Sequence, residues 1–526
     1  MKQMVLGIDI GTTGAKAVLI DASGTVLAEH TTEYPMATPR PGWAEQNPED
    51  WWQAAVASIR RVVADSKVNT RQVAGVGLTG QMHGLVLLDE RDEVLRPCIM
   101  WNDQRTAKQC ADITRLVGFD KLIRITGKPA LTGFTAGKIV WVRENEPDVY
   151  ARARHVQLPK DYVRLRLTGE YAIDVADASG TNLLDTGRRA WSDEVAGTLD
   201  IPMAWLPKVH ECHEVVGHIT AQAAAATGLA KGTPVVAGVG DQAAQSIGTG
   251  IADEGMVSVT IGTSGVVFAA TNAYRVDATG RLHTYCHAAP NRWHLMGVML
   301  SAGGSLRWFR DTIAQSQISN LQSEIGDRKS EIGNSYDLLT DEASGVPAGC
   351  EGLLFLPYLS GERCPYPDPD ARGVFFGLSL RHTRPHLTRA VIEGVTFGLR
   401  DSLELLCELQ VTCARIRVSG GGSRSPFWRQ VMADVFGTEI VTVNVTQGAA
   451  YGAALLAGVG TGVYATVQEA CTRTIRETGS TVPGPDRRTY EDYYQRYRAL
   501  YPKLKDEFGL LARTAERHQE DASGNT

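Results

Sequence analysis

No run of about 18 uninterrupted apolar residues occurs in the 526-residue sequence, so nothing in it reads as a membrane-spanning helix. Excess positive charge is also missing. Lys and Arg number 53 against 59 Asp and Glu, and the net charge of −6 offers no field for nucleic acid or an anionic bilayer. Any phosphate binding must therefore be local. The nine cysteines are odd in number and contain no C-x-x-C pair, which argues against a disulfide framework or a zinc site and for reduced thiols in a cytosol. The N-terminus has no basic region followed by a long apolar stretch, and a cytoplasmic location is expected. What is present is ordinary for a globular protein, 43% hydrophobic and 21% charged residues. The length exceeds what one core supports and fits two domains of roughly 250 residues each.

Residues 5–20 read V-L-G-I-D-I-G-T-T-G-A-K-A-V-L-I. Apolar and β-branched runs flank a Gly/Thr loop, the pattern of a strand, a tight turn and a returning strand. Backbone N–H groups at Gly11, Thr12 and Thr13, with two hydroxyls, suit an anion cradle, and Asp9 at the end of the first strand suits the Mg²⁺ that accompanies nucleotide phosphates. The pattern recurs: residues 257–270 read V-S-V-T-I-G-T-S-G-V-V-F-A-A, so that Gly262, Thr263 and Ser264 repeat the loop. Thr260 falls opposite Asp9, and only the first hairpin carries a carboxylate.

Between the hairpins, Asn47-Pro48-Glu49-Asp50 is a helix start, and a helix is expected from Pro48 to about Ala64. Residues 73–79 should be a strand ending in the polar turn Gly80-Gln81-Met82-His83-Gly84, where α/β proteins hold ligands. By itself His83 reads as a turn histidine bonded to backbone. Trp101, beside Asn102 and Asp103, offers an aromatic face and polar groups of the kind that hold a sugar. Lys160 and Asp161 are expected to be a helix cap and a solvated charge. Residues 174–185 are acidic like a calcium loop but lack its sixth-position Gly and twelfth-position Glu. Residues 234–239 form an apolar strand delivering Gly240-Asp241-Gln242 onto a helix of small residues, a carboxylate at a strand's end near the domain junction.

In the second half, residues 315–342 are expected as helix and loop, residues 389–409 as a helix, and residues 416–419 as a strand opening onto Gly420-Gly421-Gly422-Ser423. That glycine run permits flat contact with a base or ribose. A small-residue helix follows at 448–457, then a C-terminal helix over 490–508 broken near Pro502, and a disordered tail.

Taken in order, D-I-G-T-T-G, G-Q-M-H-G, W-N-D, L-P-K-D-Y, G-x-G-D-Q, I-G-T-S-G, L-P-Y-L-S-G-E-R and S-G-G-G-S-R-S-P-F-W-R-Q resemble the motifs of the FGGY carbohydrate kinases, over residues 5 to about 457. The resemblance implies an α/β fold of two ribonuclease-H-like, actin-like ATPase domains with a ligand cleft between them: 1–249 for the sugar and catalysis, 250–512 for the nucleotide, and 513–526 as tail. It implies ATP and Mg²⁺, with Asp241 as general base and Asp9 acting through the metal. Gly11, Thr12, Thr13, Lys16, Gly262, Thr263, Ser264, Gly420, Gly421, Gly422 and Ser423 would hold the nucleotide. Gln81, Met82, His83, Gly84, Trp101, Asn102, Asp103 and Gln242 would hold the sugar. G-Q-M-H-G, W-N-D and L-P-K-D-Y are most similar to members that phosphorylate D-xylulose, although Gln242 stands where those carry Asn. Other ketoses or polyols (ribulose, gluconate, a pentitol) are the alternative acceptors, and a protein-directed ATPase switch is the alternative from another class. The expected partners are a small sugar and ATP, with no nucleic acid or membrane, and a homodimer as the assembly.

Overall fold

The computed structural model describes residues 3–314 and 335–523. They form two compact units: residues 1–254, 270–295 and 444–476, and residues 255–269, 296–443 and 477–526. The chain thus leaves the first unit near the expected boundary and returns to it twice.

The first unit is built on a seven-stranded sheet in the order Val215–His218, Pro234–Val236, Val73–Gly80, Met4–Ile10, Gly14–Asp21, Val26–Glu33, with Val239–Gly240 also paired to Val73–Gly80. Met4–Ile10 and Gly14–Asp21 form the expected antiparallel hairpin, with Asp9 opposite Lys16. Strand alternation sends Leu6, Ile8 and Ile10 into one core with Trp51 and Ile59 of the helix Pro48–Ser66. That helix begins where the sequence marks it, the Asn47 side chain accepting the Glu49 N–H.

Val5, Gly7 and Asp9 face the other way. The helix Ala449–Gly460 covers this side of the sheet, and its small residues allow an approach that no side chain separates. A Cβ on Gly7 would lie 1.8 Å from the Ala450 carbonyl oxygen, and one on Gly77 2.0 Å from that of Ala453. The same helix meets the helix Asp241–Gly248, where a Cβ on Gly452 would lie 1.9 Å from the Ala244 carbonyl oxygen. Residues 444–476, expected in the second domain, therefore belong to the first unit and cover its sheet.

The second unit carries the strands Gly265–Thr271, Met256–Ile261, Arg415–Gly420, Glu439–Val443 and Glu477–Thr481 in that order, again with a hairpin first and a parallel neighbour beside it. The helix Arg384–Glu408 starts five residues before the expected position, because Thr383 and His386 form a reciprocal cap ahead of the apolar periodicity. Of residues 315–342, those up to 334 lie outside the described residues, and Ser335–Ser344 is helical. The C-terminal break occurs near Pro502, between the helices Arg487–Arg498 and Tyr501–Ser523. The second of these runs through most of the tail expected to be disordered, since Ala, Glu, Arg and Gln there favour a helix and the breakers Ser, Gly and Asn come only at its end. Among the described residues no helix is long and apolar enough to cross a membrane.

Candidate active site

Three strand ends set the geometry in the first unit. Ile10 pairs with Gly80, and Gly80 with Gly240, all in parallel register, so the residues that follow them emerge side by side. From the first end comes the Gly11-Thr12-Thr13 turn, from the second Gln81-Met82-His83-Gly84, and from the third Asp241. Gln81 is tied across by its N–H to the Ile10 carbonyl at 2.9 Å. Met82 lies against Gly240, where an added Cβ would come 3.0 Å from its Cγ.

Asp9 and Asp241 are both partly buried, and the charge of Asp9 acts on Asp241. Burial pushes the Asp9 carboxyl up to about 6, against the pull of Lys16, which itself pairs with Glu29 at 3.1 Å. Burial first and the Asp9 charge second push Asp241 up to about 7, while the backbone and side chain of Gln242 hydrogen-bond its carboxylate and oppose that rise. Among the described residues Asp9 Oδ1 is buried without a hydrogen-bond partner, an orphaned carboxylate oxygen of the kind a hard cation takes. A Mg²⁺ ion held through one protein carboxylate and phosphate or water oxygens fits this donor set.

The turn at Gly11, Thr12 and Thr13 is held by Trp101 and by two residues that carry no sequence signal of their own, Tyr34 and Gln46. Tyr34 Oη donates to the Gly11 carbonyl at 2.5 Å, Gln46 Nε2 to that of Thr12 at 2.8 Å, and Trp101 Nε1 to Thr12 Oγ1 at 3.1 Å. Gln46 also accepts from Gln81 Nε2 at 2.9 Å, linking two of the three strand ends. Trp101 is 40% exposed and free to present its face, and Asn102 has a buried Oδ1 without a partner among the described residues. Asp103 differs from expectation. It is fully buried and accepts from the Ala44 N–H at 2.7 Å and from Arg105 Nε and Nη2 at 2.9 and 2.7 Å, so its carboxylate holds the loop together rather than facing a ligand.

Lys160 and Asp161 also differ, because neither is solvated. Lys160 Nζ lies 2.7 Å from Asp161, 2.7 Å from Asp174 and 2.9 Å from Asp177, and Arg164 reaches Asp161 at 2.7 Å, every one of these side chains fully buried. The Lys160 stem runs behind Gly80 and Gly238, so the cluster backs the strand ends that carry Gln81 and Asp241. The acids of residues 174–185 thus include two that face an ammonium group.

In the second unit the same logic builds a separate pocket. Ile261 pairs with Gly420, so the turn at Gly262, Thr263 and Ser264 sits beside Gly420, Gly421 and Gly422. Gly303 and Gly304 bond the Gly262 and Thr263 carbonyls at 2.8 and 3.0 Å, and Ser423 Oγ bonds the Gly420 carbonyl at 2.8 Å. Between them lies a cavity of about 490 Å³, whose walls also include Arg307, Tyr336, Asp337, Arg424 and Trp428. That volume suits a nucleoside. These five residues lie outside the quoted motif positions or in a motif only as neighbours, and only their convergence in space marks them.

Glu362 of L-P-Y-L-S-G-E-R supports this pocket. Its Oε1 accepts from the Leu300 and Arg363 N–H groups at 3.0 and 2.7 Å, its Oε2 is buried without a partner among the described residues, and Ala302, two residues after Leu300, bonds the Thr263 carbonyl at 2.9 Å. Burial pushes the carboxyl from 4.5 up to about 8, against those N–H donors. The folded protein therefore keeps a proton the unfolded chain releases, and stability falls as pH rises between about 4.5 and about 8. Glu362→Gln removes that titration. The variant is expected to gain on the parent across this range, read as the difference in Tm from pH 5 to pH 9; a difference that does not change with pH would refute it.

The FGGY family models of carbohydrate kinases match the chain twice, the N-terminal domain over residues 4–248 and the C-terminal domain over residues 257–461. The chain belongs to the FGGY family of carbohydrate kinases. It is similar to the xylulose kinase of Escherichia coli (strain K12), 38% identical over 95% of this chain and 99% of the relative. The gluconokinase of Bacillus subtilis (strain 168) is 32% identical over 95% of each. The crystal structure of a xyloylose kinase from Brucella ovis superposes with a TM-score of 0.87 at 38% identity, covering 96% of this chain and 100% of that one. The fold of this FGGY kinase is accordingly the two-domain, mixed α/β fold of the actin-like ATPases, and the protein-directed switch gives way to a sugar kinase.

Proposed function

We propose that this FGGY kinase transfers the γ-phosphoryl group of ATP to a hydroxyl of a ketopentose, D-xylulose before others, giving D-xylulose 5-phosphate. The observation that carries the reading is the register of Ile10, Gly80 and Gly240, which draws a carboxylate with an orphaned oxygen, a polar turn and a second carboxylate poised near neutrality to one sheet edge. A sugar hydroxyl is a poor nucleophile at pH 7, and Asp241 accepts its proton as the bond to phosphorus forms. Met82, His83, Trp101 and Asn102 orient the sugar, while Gln242 steadies the base. The turn at Gly11, Thr12 and Thr13 receives the phosphoryl oxygens through N–H and hydroxyl donors. Asp9 holds Mg²⁺, which when bound neutralises charge on the transferring group. The pocket lined by Gly262, Gly421 and Gly422 takes the adenosine.

The sugar is supported by the xylulose kinase similarity, and the gluconokinase similarity favours a second reading in which the acceptor is an aldonate or another polyol. ADP release with ATP and a panel of D-xylulose, ribulose, gluconate and pentitols separates the two. D-xylulose is expected to give the highest kcat/KM. Preference for gluconate or ribulose would overturn the sugar and leave the kinase standing.

A further inference from the structure

Lys138 is fully buried, and its ammonium group meets no carboxylate at hydrogen-bond distance among the described residues. Such burial carries a desolvation cost that the side chain must recover through hydrogen bonds. Its Nζ donates to two main-chain carbonyls at 2.8 Å each, those of Gly133 and His83. Thr135 Oγ1 donates to the same His83 carbonyl at 3.1 Å.

His83 is an unusual recipient. It has φ +70°, a conformation that a residue with a Cβ rarely takes, and the Gly84 N–H returns to the Met82 carbonyl at 2.9 Å, making His83 the centre of a three-residue turn of the strained form. Its imidazole is fixed as well: Nδ1 lies 2.9 Å from the Gly180 carbonyl oxygen, and the ring stands edge-on to Phe134 at 4.8 Å. A Cβ on Gly180 would come 2.7 Å from that ring, so only glycine fits beneath it. A second fully buried lysine, Lys128, donates to the Ser179 carbonyl at 2.7 Å, one peptide before Gly180. Strain of this kind persists only where surrounding groups over-determine it.

We infer that Lys138, with Thr135, is a positioning residue for acceptor recognition: its N–H donors hold the His83 carbonyl and so keep the residue 81–84 turn in its strained, sugar-binding form. This rests on the reading of that turn as part of the sugar site. Both bonds need only N–H groups, which the amine supplies with or without its third proton.

The test compares Lys138→Met, Thr135→Val, His83→Ala and the double variant His83→Ala/Lys138→Met, each assayed for KM of the preferred sugar, KM of ATP and kcat. Lys138→Met is expected to raise the sugar KM about tenfold and Thr135→Val about threefold, with the ATP KM unchanged in both. The double variant is expected to have a higher sugar KM than His83→Ala alone, because alanine keeps the main-chain carbonyl that Lys138 holds and the rest of the turn still depends on it. If Lys138→Met does not fold, Thr135→Val against His83→Ala decides. A His83→Ala enzyme with an unaltered sugar KM would sink the sugar-site reading and this inference with it. A raised KM in His83→Ala beside unaltered values in Lys138→Met and Thr135→Val, or a double variant with the same sugar KM as His83→Ala, would overturn the inference alone.

Discussion

Replacing Asp241 with alanine is expected to lower kcat by about 10²-fold or more while the KM for sugar stays within a few-fold of the parent, the pattern of a lost general base rather than a lost binding group. The pH profile gives the second half of this expectation. A base works only when deprotonated, and burial together with the charge of Asp9 holds the Asp241 carboxyl up to about 7. In the parent, kcat/KM should therefore fall as pH drops through about 7, and raising Mg²⁺ should move that acid limb downward by compensating the Asp9 charge. The limb should vanish from the residual activity of the alanine variant. Near-normal kcat in Asp241→Ala, or an unchanged acid limb, would remove Asp241 from the role.

Asp9→Ala is expected to cost about 10²–10³-fold in kcat, the equivalent of the several kcal/mol that a correctly held divalent ion supplies to a phosphoryl transition state. Its signature should separate it from Asp241→Ala: the Mg²⁺ concentration for half-maximal rate rises, because the carboxylate oxygen that has no hydrogen-bond partner among the described residues is the one being deleted. An Asp9→Ala enzyme with the parental Mg²⁺ dependence would assign that oxygen to something else. The two variants should also combine less than multiplicatively, since the Asp9 charge helps to set the ionisation of Asp241.

The local signals were legible in the sequence. Both hairpins, the Asn47 cap, the strand entering residues 80–84 and the position of Asp241 at the start of a helix are read from short patterns, because each depends on residues within one turn or one strand. What escaped depends on distant residues. Tyr34 and Gln46 gain their meaning from bonds to Gly11 and Thr12, and nothing about a lone Tyr or Gln announces such a bond. Lys160, read as a solvated charge, is buried because Asp174 and Asp177 arrive from another helix start to meet it. Asp103, chosen for its company with Trp101 and Asn102, is claimed by Arg105 and the Ala44 N–H. Lys138 carries no sequence signal because a helix of mixed residues gives no periodic face to show which side chains point inward.

The helix Ala449–Gly460 has a consequence for the order in which a working enzyme comes into being. Asp9 lies on the sheet face which that helix covers at near backbone-to-backbone distance, and the helix bearing Asp241 leans on it as well. A ribosome must therefore add some two hundred further amino acids after the second carboxylate has emerged before the missing lid of that layer can dock. Until then the growing polypeptide exposes glycines and apolar side chains that the docked helix covers, so both acids mature together and late.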